Sequence, residues 1–479
     1  MNRGEVPGYE FEVPRGLARG PRGFPDRGAD AFDRPDRPRP AQPYPARPSG
    51  RPLVSPQRAG PQPVGGEPVG PVSRVLGVMR ARNWMVSLVL PIAAAVAVGI
   101  AVVVVTGGGG ATGAAPSALA AGFPPARLAG ADFTGAAPGS PVVLGAVAAS
   151  GATDVVAGSA AGGPALWVSV DGGAVWARGA AAALAGAAET GTSQLTGVTH
   201  GAAGWLAVGG TVAAASAGGQ NWTRETVAGA AGAVAAGAAA GSAGYVIVGH
   251  RRQDAVAWYA PGLTGWHPAA VALPGTGQSE INAVTATARG FAAAGAAGAN
   301  QAAWVSSAGR SWRVSVLPMP GGATRAALTS VAASGADVVA VGSAVSAAGQ
   351  RWPFAEISAD AGATWTAAKL PVPVTGATTA TVTALTAAGA GFTATGTYPA
   401  ADGGTDVVVW TLPTTAISAG GSWTAATPKG TGLAGSGAQA ITALTAEGAE
   451  LTGVGFTTGA SGASGAAQQP TLWQSPIRY

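Results

Sequence analysis

Glycine recurs at one place in a repeating pattern, and this repetition restricts the possible folds more than any other feature of the chain. Two short segments alternate Val, Thr, Leu or Phe with small residues across a Gly- or Ala-rich turn, as at 382–385 and 392–396. Such alternation, with frequent glycine, favours strands and turns over helices. A glycine closes the second segment seven times: Gly158, Gly209, Gly249, Gly295, Gly342, Gly396 and Gly455.

The spacing of these glycines predicts the architecture. Successive glycines are 40 to 59 residues apart, which suits a four-stranded propeller blade with loops of variable length. We therefore expect an all-β fold, a seven-bladed β-propeller of four-stranded antiparallel blades. Because the repeats between 342 and 455 are the longest, six or eight blades remain alternatives.

Tryptophan marks two further places in the repeat. The first lies in the third strand, at Trp167, Trp258, Trp304, Trp410 and Trp473. The second opens the fourth strand, at Trp176, Trp222, Trp266, Trp312, Trp365 and Trp423. A propeller accounts for both, because its Ala-rich inner strands converge on the axis. Further out, the gap between blades widens and can bury about 150–250 Å² per ring.

A Ser-x-Asp-x-Gly-x-x-Trp motif precedes two of the fourth strands. We expect its Ser and Asp side chains to accept backbone N–H groups within a tight turn. Gly would adopt a positive φ, and Trp would pack the hairpin onto its sheet. The two complete copies comprise Ser169, Asp171, Gly173 and Trp176, and Ser358, Asp360, Gly362 and Trp365.

This motif resembles the Asp-box of sialidase-type (BNR-repeat) propellers, which also occurs in sortilin-like and photosystem-assembly-factor-like propellers. In that family the boxes lie on the face away from the active site. The resemblance therefore implies a structural role for Asp171 and Asp360, and one Asp per turn is a poor cation cage. Degenerate copies without the Asp occur at 216–222, 306–312 and 418–423, and a weaker one at 260–266.

The chain before the repeats has a different composition. Residues 1–83 contain 14 Arg and 8 acidic residues with abundant Pro and Gly, and cannot bury enough apolar surface to fold. We expect a disordered cytoplasmic tail there. Residues 107–479 contain 13 basic and 14 acidic residues, so the basic character belongs to the tail. A nearly neutral repeat domain argues against a nucleic-acid partner.

An uncharged segment of 22 residues, 84–105 (Trp84–Val105), separates the two parts, and this length suffices for a helix across a bilayer. Arg74, Arg80 and Arg82 precede it, whereas the next charge is Arg127. By the positive-inside rule, the N-terminus is cytoplasmic and the repeats are outside the cell. We expect a transmembrane helix at 84–106, a flexible linker at 107–125 and the extracellular propeller at 126–479. A cleaved signal peptide is the alternative, although its apolar core is usually shorter.

The seventh repeat shows no fourth strand after Trp473. The candidate for the missing strand is 128–134, just before the first blade. We expect this segment to pair beside 471–475 and to clasp the ring.

No catalytic or metal-binding constellation stands out. Cysteine is absent, and His200, His250 and His267 lack metal-ligand spacing. The sialidase resemblance would imply an arginine trio and a Tyr nucleophile with an acidic partner. The Arg-Ile-Pro motif of that family is missing, and the tyrosines after residue 140 are few. We expect neither a cofactor nor a metal, and we assign no catalytic residue.

Loops between the second and third strands share one face of a propeller with the loops between blades, opposite the Asp-boxes. A mixture of Arg, aromatic and carboxylate side chains on these loops is typical of protein or glycan recognition. Solvated loop charge is the alternative explanation. The candidate ligand-binding residues are Arg251, Arg252, Asp254, Arg351, Trp352, Tyr398 and Asp402.

Together these features predict a membrane-anchored, extracytoplasmic propeller that binds a protein or a polysaccharide without catalysis. A diverged sialidase-like glycoside hydrolase is one alternative. An envelope assembly or sensing factor that acts through its cytoplasmic tail is another.

Overall fold

The computed structural model describes residues 141–181, 184, 194–275, 277–372, 379–418, 420–428, 432–448, 450–459 and 468–476. The predicted tail at 1–83, transmembrane helix at 84–106, linker at 107–125 and clasp strand at 128–134 lie outside these residues. Among the residues described, no helix has the length and apolar character that crossing a bilayer requires.

The strands form seven sheets, which confirms the predicted propeller of seven blades. Within each blade the strands follow one another in chain order from the axis outward, apart from one additional edge strand in blade 4. Blade 1 consists of β1 (Val142–Ser150), β2 (Thr153–Ala160), β3 (Gly163–Ser169) and β4 (Ala177–Arg178). Blade 2 consists of β5 (Gly197–Gly201), β6 (Gly204–Gly209), β7 (Val212–Ser216) and β8 (Thr223–Arg224). Blade 3 consists of β9 (Ala233–Gly241), β10 (Gly244–Arg251), β11 (Asp254–Ala260) and β12 (His267–Pro268).

Blade 4 gains a fifth strand at its outer edge. There β13 (Ala270–Val271), which leads out of blade 3, pairs in parallel with β17. The rest of blade 4 comprises β14 (Ser279–Thr287), β15 (Gly290–Ala297), β16 (Asn300–Ser306) and β17 (Ser311–Val316). Blade 5 comprises β18 (Arg325–Ser334), β19 (Asp337–Val345), β20 (Arg351–Ser358) and β21 (Thr366–Lys369).

Blade 7 has three strands among the residues described, whereas blade 6 has four. Blade 6 comprises β22 (Thr381–Ala388), β23 (Gly391–Pro399), β24 (Thr405–Pro413) and β25 (Thr424–Ala426), with a 3-10 turn at Thr414–Ala416. Blade 7 comprises β26 (Gln439–Glu447), β27 (Glu450–Thr457) and β28 (Gln469–Pro476).

The hydrophobic core lies in the seams between neighbouring blades. Each seam has its own cluster of buried side chains, so a blade buries both faces only when it has two neighbours. The seam between blades 7 and 1 packs Leu144 and Trp167 with Val454 and Leu472. The Thr442 hydroxyl also donates to Leu144 O across this seam, at 2.9 Å. Blades 7 and 1 therefore contact each other through their described strands.

The third-strand tryptophans face these seams. Their side chains are buried, and three of their indole N–H groups donate to the chain segment that enters the same blade. The acceptors are Ala228 O for Trp258, Ala272 O for Trp304 and Pro371 O for Trp410, at 3.1, 3.1 and 2.8 Å. In each case the acceptor lies six residues after the fourth-strand Trp of the preceding blade. The predicted Trp positions are thus confirmed as seam residues.

The repeated glycines have a role that their sequence positions did not indicate. Six of the seven lie inside the second strand, which continues past the glycine, and only Gly209 ends its strand. The prediction that they terminate strands was therefore wrong. A Cβ on Gly342 would stand 2.0 Å from Ala327 O, and one on Gly158 would stand 1.9 Å from Val143 O. Both carbonyls belong to innermost strands just before a β-bulge, and only glycine leaves room for this approach.

Candidate functional site

The innermost strands of all seven blades surround a cavity on the propeller axis, with a volume of about 1330 Å³. Small side chains form much of its wall, among them Gly145, Gly197, Gly237 and Ala443. Because seven strands converge there, the Ala and Gly content of the chain is what leaves the axis open. The cavity is continuous with the loops that join second to third strands, on the face predicted to carry the ligand site.

Polar side chains in the wall mostly serve the scaffold. A β-bulge interrupts the innermost strands of at least five blades, and the bulged residue bonds to the next blade in several of them. Asn282 Nδ2 donates to Leu328 O at 2.9 Å, and Thr383 Oγ1 donates to Ile441 O at 2.5 Å. In blade 2, Thr196 Oγ1 likewise donates to Ala236 O at 3.0 Å. These groups stabilise the ring and are not free to bind a ligand.

The mouth of the cavity is different, because blades 3 to 5 line it with cations and amides. His250, Arg252 and Gln253 come from the β10–β11 turn, and Arg325 and Arg351 come from the first residues of β18 and β20. The described lining residues include three guanidinium groups and one carboxylate. This sector of the mouth is therefore suited to an anionic group.

Glu280 is that carboxylate. It lies at the start of β14, partly buried beside the β10–β11 turn. Burial raises the pKa of Glu280, while the electrostatic interaction with His250 and a long hydrogen bond from Asn282 lower it. The Asn282 Nδ2 to Glu280 Oε1 distance is 3.5 Å. No second acidic side chain lines the cavity among the described residues, so nothing there forms the carboxylate pair of a glycosidase.

Two of the seven candidate ligand-binding residues, Arg252 and Arg351, line the cavity. Arg252 sits at the tip of the β10–β11 turn with a φ of 55°, which projects an exposed side chain from a tight turn. Arg251 points elsewhere, since its Nη2 donates to Gly229 O in the segment before blade 3. Asp254 is exposed at the start of β11 and does not line the cavity. Trp352 is partly buried and packs against the core between blades 4 and 5.

Tyr398 and Asp402 lie on the β23–β24 hairpin, outside the cavity wall. Asp402 accepts backbone N–H groups from Gly404 at 2.9 Å and from Gly437 at 2.8 Å, and these two bonds lower its pKa. The Tyr398 hydroxyl donates to Asp406 Oδ2 at 3.4 Å, and Asp406 Oδ1 accepts from Gly435 N at 3.1 Å. The hairpin carboxylates thus fasten the loop that enters blade 7.

The sequence reasoning missed Gln278, Glu280 and Arg325, which also line the mouth. They lie in the last residues of the loops between blades or in the first residues of the innermost strands. The blade period could have located them, because it places each such junction at the cavity rim. Gln301, the second residue of β16, is polar but fully buried between blades 4 and 5.

The opposite face carries the predicted Asp-box turns, and their geometry is confirmed. In blade 1, Ser169 Oγ accepts from Gly173 N at 2.8 Å and donates to Asp171 Oδ1 at 2.7 Å. Asp171 Oδ1 also accepts from Val175 N at 2.9 Å, and Trp176 Nε1 donates to Gly173 O at 3.0 Å. These bonds within the turn lower the pKa of Asp171, the bond from the Ser169 hydroxyl most of all.

Blade 5 repeats this turn with one additional bond. Asp360 Oδ1 accepts from Thr364 N at 2.8 Å, and Asp360 Oδ2 accepts from the Thr364 hydroxyl at 2.7 Å. The carboxylate therefore spans the turn, as expected of a structural residue. No group of three or more His, Cys, Asp or Glu suited to a metal ion occurs among the residues that the structure describes.

The degenerate boxes keep the hydroxyl and indole bonds without the Asp. Ser216 Oγ accepts from Gly219 N at 2.9 Å, and Ser306 Oγ accepts from Gly309 N at 2.8 Å. The Trp222 and Trp312 indoles donate to the same two glycines, at 2.6 and 2.9 Å. Since these turns are one residue shorter, they close without a carboxylate.

No protein-family model matches the chain, and no curated protein matches it. A solved structure of YCF48 bound to a D1 peptide is 18% identical, with a TM-score of 0.33 over 48% of this chain and 68% of that one. The GH74 enzyme of Niastella koreensis is 10% identical, with a TM-score of 0.34 over 71% of this chain and 61% of that one. The Trypanosoma rangeli sialidase in complex with the inhibitor DANA is also 10% identical, with a TM-score of 0.36 over 72% of this chain and 57% of that one. The chain thus spans about six tenths of both hydrolase structures, and its fold assignment rests on its own strand order.

Proposed function

We propose that the chain is a single-pass membrane protein whose propeller lies outside the cell and binds, without catalysis, an acidic segment of an extracytoplasmic protein or polysaccharide. The binding site is the mouth of the axial cavity on blades 3 to 5. Arg252 and Arg351 bind the anionic groups, and the neighbouring amides of Gln253 and Gln278 contribute hydrogen bonds.

The observation that carries this proposal is the combination of cavity size and charge. A volume of about 1330 Å³ exceeds that of ordinary small-molecule pockets, which are about 300–1,000 Å³. A segment of a polymer would therefore fill the cavity better than a single small metabolite. The three arginines at its mouth favour a polymer that carries carboxylate, phosphate or sulfate groups.

The lining favours binding over hydrolysis. Glycoside hydrolases place two carboxylates on either side of the scissile bond, or use a Tyr nucleophile with an acidic partner. Glu280 alone cannot supply both groups, and no tyrosine lines the cavity among the described residues. A sialidase-like hydrolase therefore remains the alternative that an activity assay must test.

Membrane anchoring rests on the sequence. The uncharged segment 84–105 and the arginines before it support a helix with a cytoplasmic N-terminus. In membrane vesicles of known orientation, protease added to the extracytoplasmic side should degrade an epitope at the C-terminus and spare one at the N-terminus. Full protection of the C-terminal epitope in sealed right-side-out vesicles would contradict this topology.

The binding proposal can be tested with the full chain in detergent micelles. The probes are oligogalacturonate and a poly-glutamate peptide, with a neutral malto-oligosaccharide for comparison, measured by calorimetry at low and at physiological salt. We expect at least one acidic probe to bind, with an affinity that falls as the salt concentration rises. The neutral probe should not bind. The hydrolase alternative would be favoured instead if new reducing ends form in oligogalacturonate and if Glu280→Gln abolishes their formation.

Matched variants locate the site. The double substitution Arg252→Gln and Arg351→Gln should lower the affinity for the acidic probe by at least about tenfold, since hydrogen bonds to charged groups contribute about 1.5–3 kcal/mol each. Arg289→Gln removes an exposed guanidinium from the β14–β15 turn on the Asp-box face, so it should leave affinity unchanged. Equal losses in both variants would indicate nonspecific charge attraction and overturn the assignment.

A further inference from the structure

Blade 5 departs from the repeat at a buried position. In five blades a third-strand Trp pairs with the second-strand residue two positions before the repeated glycine, and in blade 2 the residue at this position is Ala214. In blade 5 this position is Glu356, which lies opposite Ala340 on β19 as Trp304 lies opposite Ala293 on β15. Glu356 is 1% exposed. A carboxyl group thus occupies a seam position that holds an indole in five of the other six blades.

Gln301 of blade 4 takes over the hydrogen bond that an indole makes in other seams. Its Nε2 donates to Pro318 O at 2.7 Å. Pro318 lies six residues after Trp312, just as Ala272 lies six residues after Trp266. The same Nε2 donates to Glu356 Oε1 at 2.6 Å. The contact between Glu356 and Gln301 therefore bridges blades 4 and 5.

The other end of the Gln301 amide is unsatisfied. Gln301 Oε1 is buried without a hydrogen-bond partner, which is a costly state for a carbonyl in a protein interior. The amide cannot turn over to relieve it, because its nitrogen already serves two oxygen acceptors. A carboxylate cannot donate to Oε1, whereas a neutral carboxylic acid carries the donor that Oε1 lacks.

The surroundings of Glu356 favour the neutral acid. Its neighbours on β19 and β21 are Ala340 and Ala367, and the buried side chains of this seam are apolar. The charged groups that share its side of the adjoining strands, Arg313 on β17 and Lys369 on β21, are exposed. Burial raises the pKa of Glu356 to about 7, and the bond from Gln301 opposes this rise.

We propose that Glu356 and Gln301 form a proton-operated latch between blades 4 and 5. With its proton on Oε2, Glu356 donates to Gln301 Oε1 while Gln301 Nε2 donates to Glu356 Oε1, which closes a ring of two hydrogen bonds. Loss of the proton to solvent breaks the first of these bonds and leaves a negative charge in the seam. The latch is independent of any ligand at the cavity mouth.

The direction of the effect follows from linkage. The pKa of Glu356 is higher in the folded chain, about 7, than the ordinary value of 4.5. The folded state therefore holds the proton more tightly, and its advantage is fully present below pH 4.5. This advantage is lost as the pH rises toward 7 and is gone above it.

The decisive experiment measures the unfolding equilibrium of the full chain in urea from pH 5 to pH 8. Glu356→Gln keeps both hydrogen bonds through its amide but cannot titrate. Relative to this variant, the unfolding constant of the wild type should rise by roughly 50- to 100-fold across the range. Asp254→Asn, which removes an exposed carboxyl of blade 3, should retain the wild-type pH dependence. Parallel curves for the wild type and Glu356→Gln would overturn the latch.

A second measurement covers the case in which Glu356→Gln does not fold. Infrared spectra of the wild type at pH 5 should contain the C=O stretching band of a buried, protonated carboxylic acid, and this band should disappear reversibly by pH 9. In Gln301→Leu, which removes the amide, the band should shift in frequency because the acid loses both bonds. A wild-type spectrum without such a band at pH 5, or one in which Gln301→Leu shifts no component of this band, would refute the pairing.

Discussion

At the Asp-box end of the propeller, four blades build their turn from the same bonds, a Ser hydroxyl that accepts a Gly N–H and an indole that donates to that Gly carbonyl. At the opposite end, each hairpin differs from the others. The β10–β11 turn presents Arg252 to the cavity, whereas the β23–β24 hairpin uses Asp402 to hold a neighbouring loop. Repeated residues thus build the scaffold, and unrepeated ones distinguish one blade from another.

This contrast predicts that repeated positions carry more of the stability than unrepeated ones of the same residue type. Trp304 and Trp352 form such a pair. Trp304 is fully buried in a seam and donates to Ala272 O, whereas Trp352 is only partly buried. We expect Trp304→Ala to lower the unfolding free energy by about 3–5 kcal/mol, and Trp352→Ala to lower it by about 1 kcal/mol. Urea unfolding monitored by circular dichroism measures both, and equal losses would break the comparison.

The glycines provide a second matched pair. Gly342→Ala places a methyl group 2.0 Å from Ala327 O, so the bulged inner strand must shift. We expect a loss of about 2–3 kcal/mol from this overpacking. Gly321→Ala, at a position with no atom within 4 Å of the added carbon, should change stability by less than about 0.5 kcal/mol. If both variants unfold at the same urea concentration, the close approach is not what selects glycine at 342.

The glycines also show how far sequence could predict this fold. Their spacing indicated the blade number, because each blade has a glycine at which a Cβ would stand only 1.9–2.1 Å from a carbonyl oxygen at or just before its innermost strand. The bulge itself could not be predicted, since it has no residue type in common: Gly145, Asn282, Thr329, Thr383 and Thr442 all occupy it. The glycines were therefore assigned to strand ends, although six lie within strands.

The candidate site was harder to predict for a related reason. Arg252 and Arg351 were found because charged side chains are rare in this chain and stand out in loops. Asp402 was selected by the same criterion, yet its oxygens bind the Gly404 and Gly437 amides. Residue type alone does not distinguish a carboxylate that binds a ligand from one that stabilises a loop. That distinction depends on which backbone N–H groups the fold brings within reach.

Serine substitutions test which part of the Asp-box is essential. Ser358 belongs to a complete box and Ser216 to a degenerate one, yet both hydroxyls accept a buried Gly N–H at 2.9 Å. We expect Ser358→Ala and Ser216→Ala to destabilise the chain equally, by about 1–2 kcal/mol, because each leaves a buried donor unsatisfied. A much larger loss at Ser358, measured by urea unfolding at pH 7, would show that the Asp makes the complete box a different structural unit.

The smallest effect is expected at Asp402, where the stabilisation is local and depends on pH. The Gly404 and Gly437 amides lower the pKa of Asp402 in the folded chain. The carboxylate therefore stabilises the loop above the ordinary pKa of an aspartate, and this contribution disappears as the pH falls through the lowered value. In Asp402→Asn the Gly437 N–H should exchange with solvent faster than in the wild type at pH 7, and the difference should vanish in acid. Asp254→Asn serves as the control, because Asp254 is exposed and lies two blades or more from this loop. Unchanged protection of Gly437 in Asp402→Asn would show that the loop is held without the carboxylate.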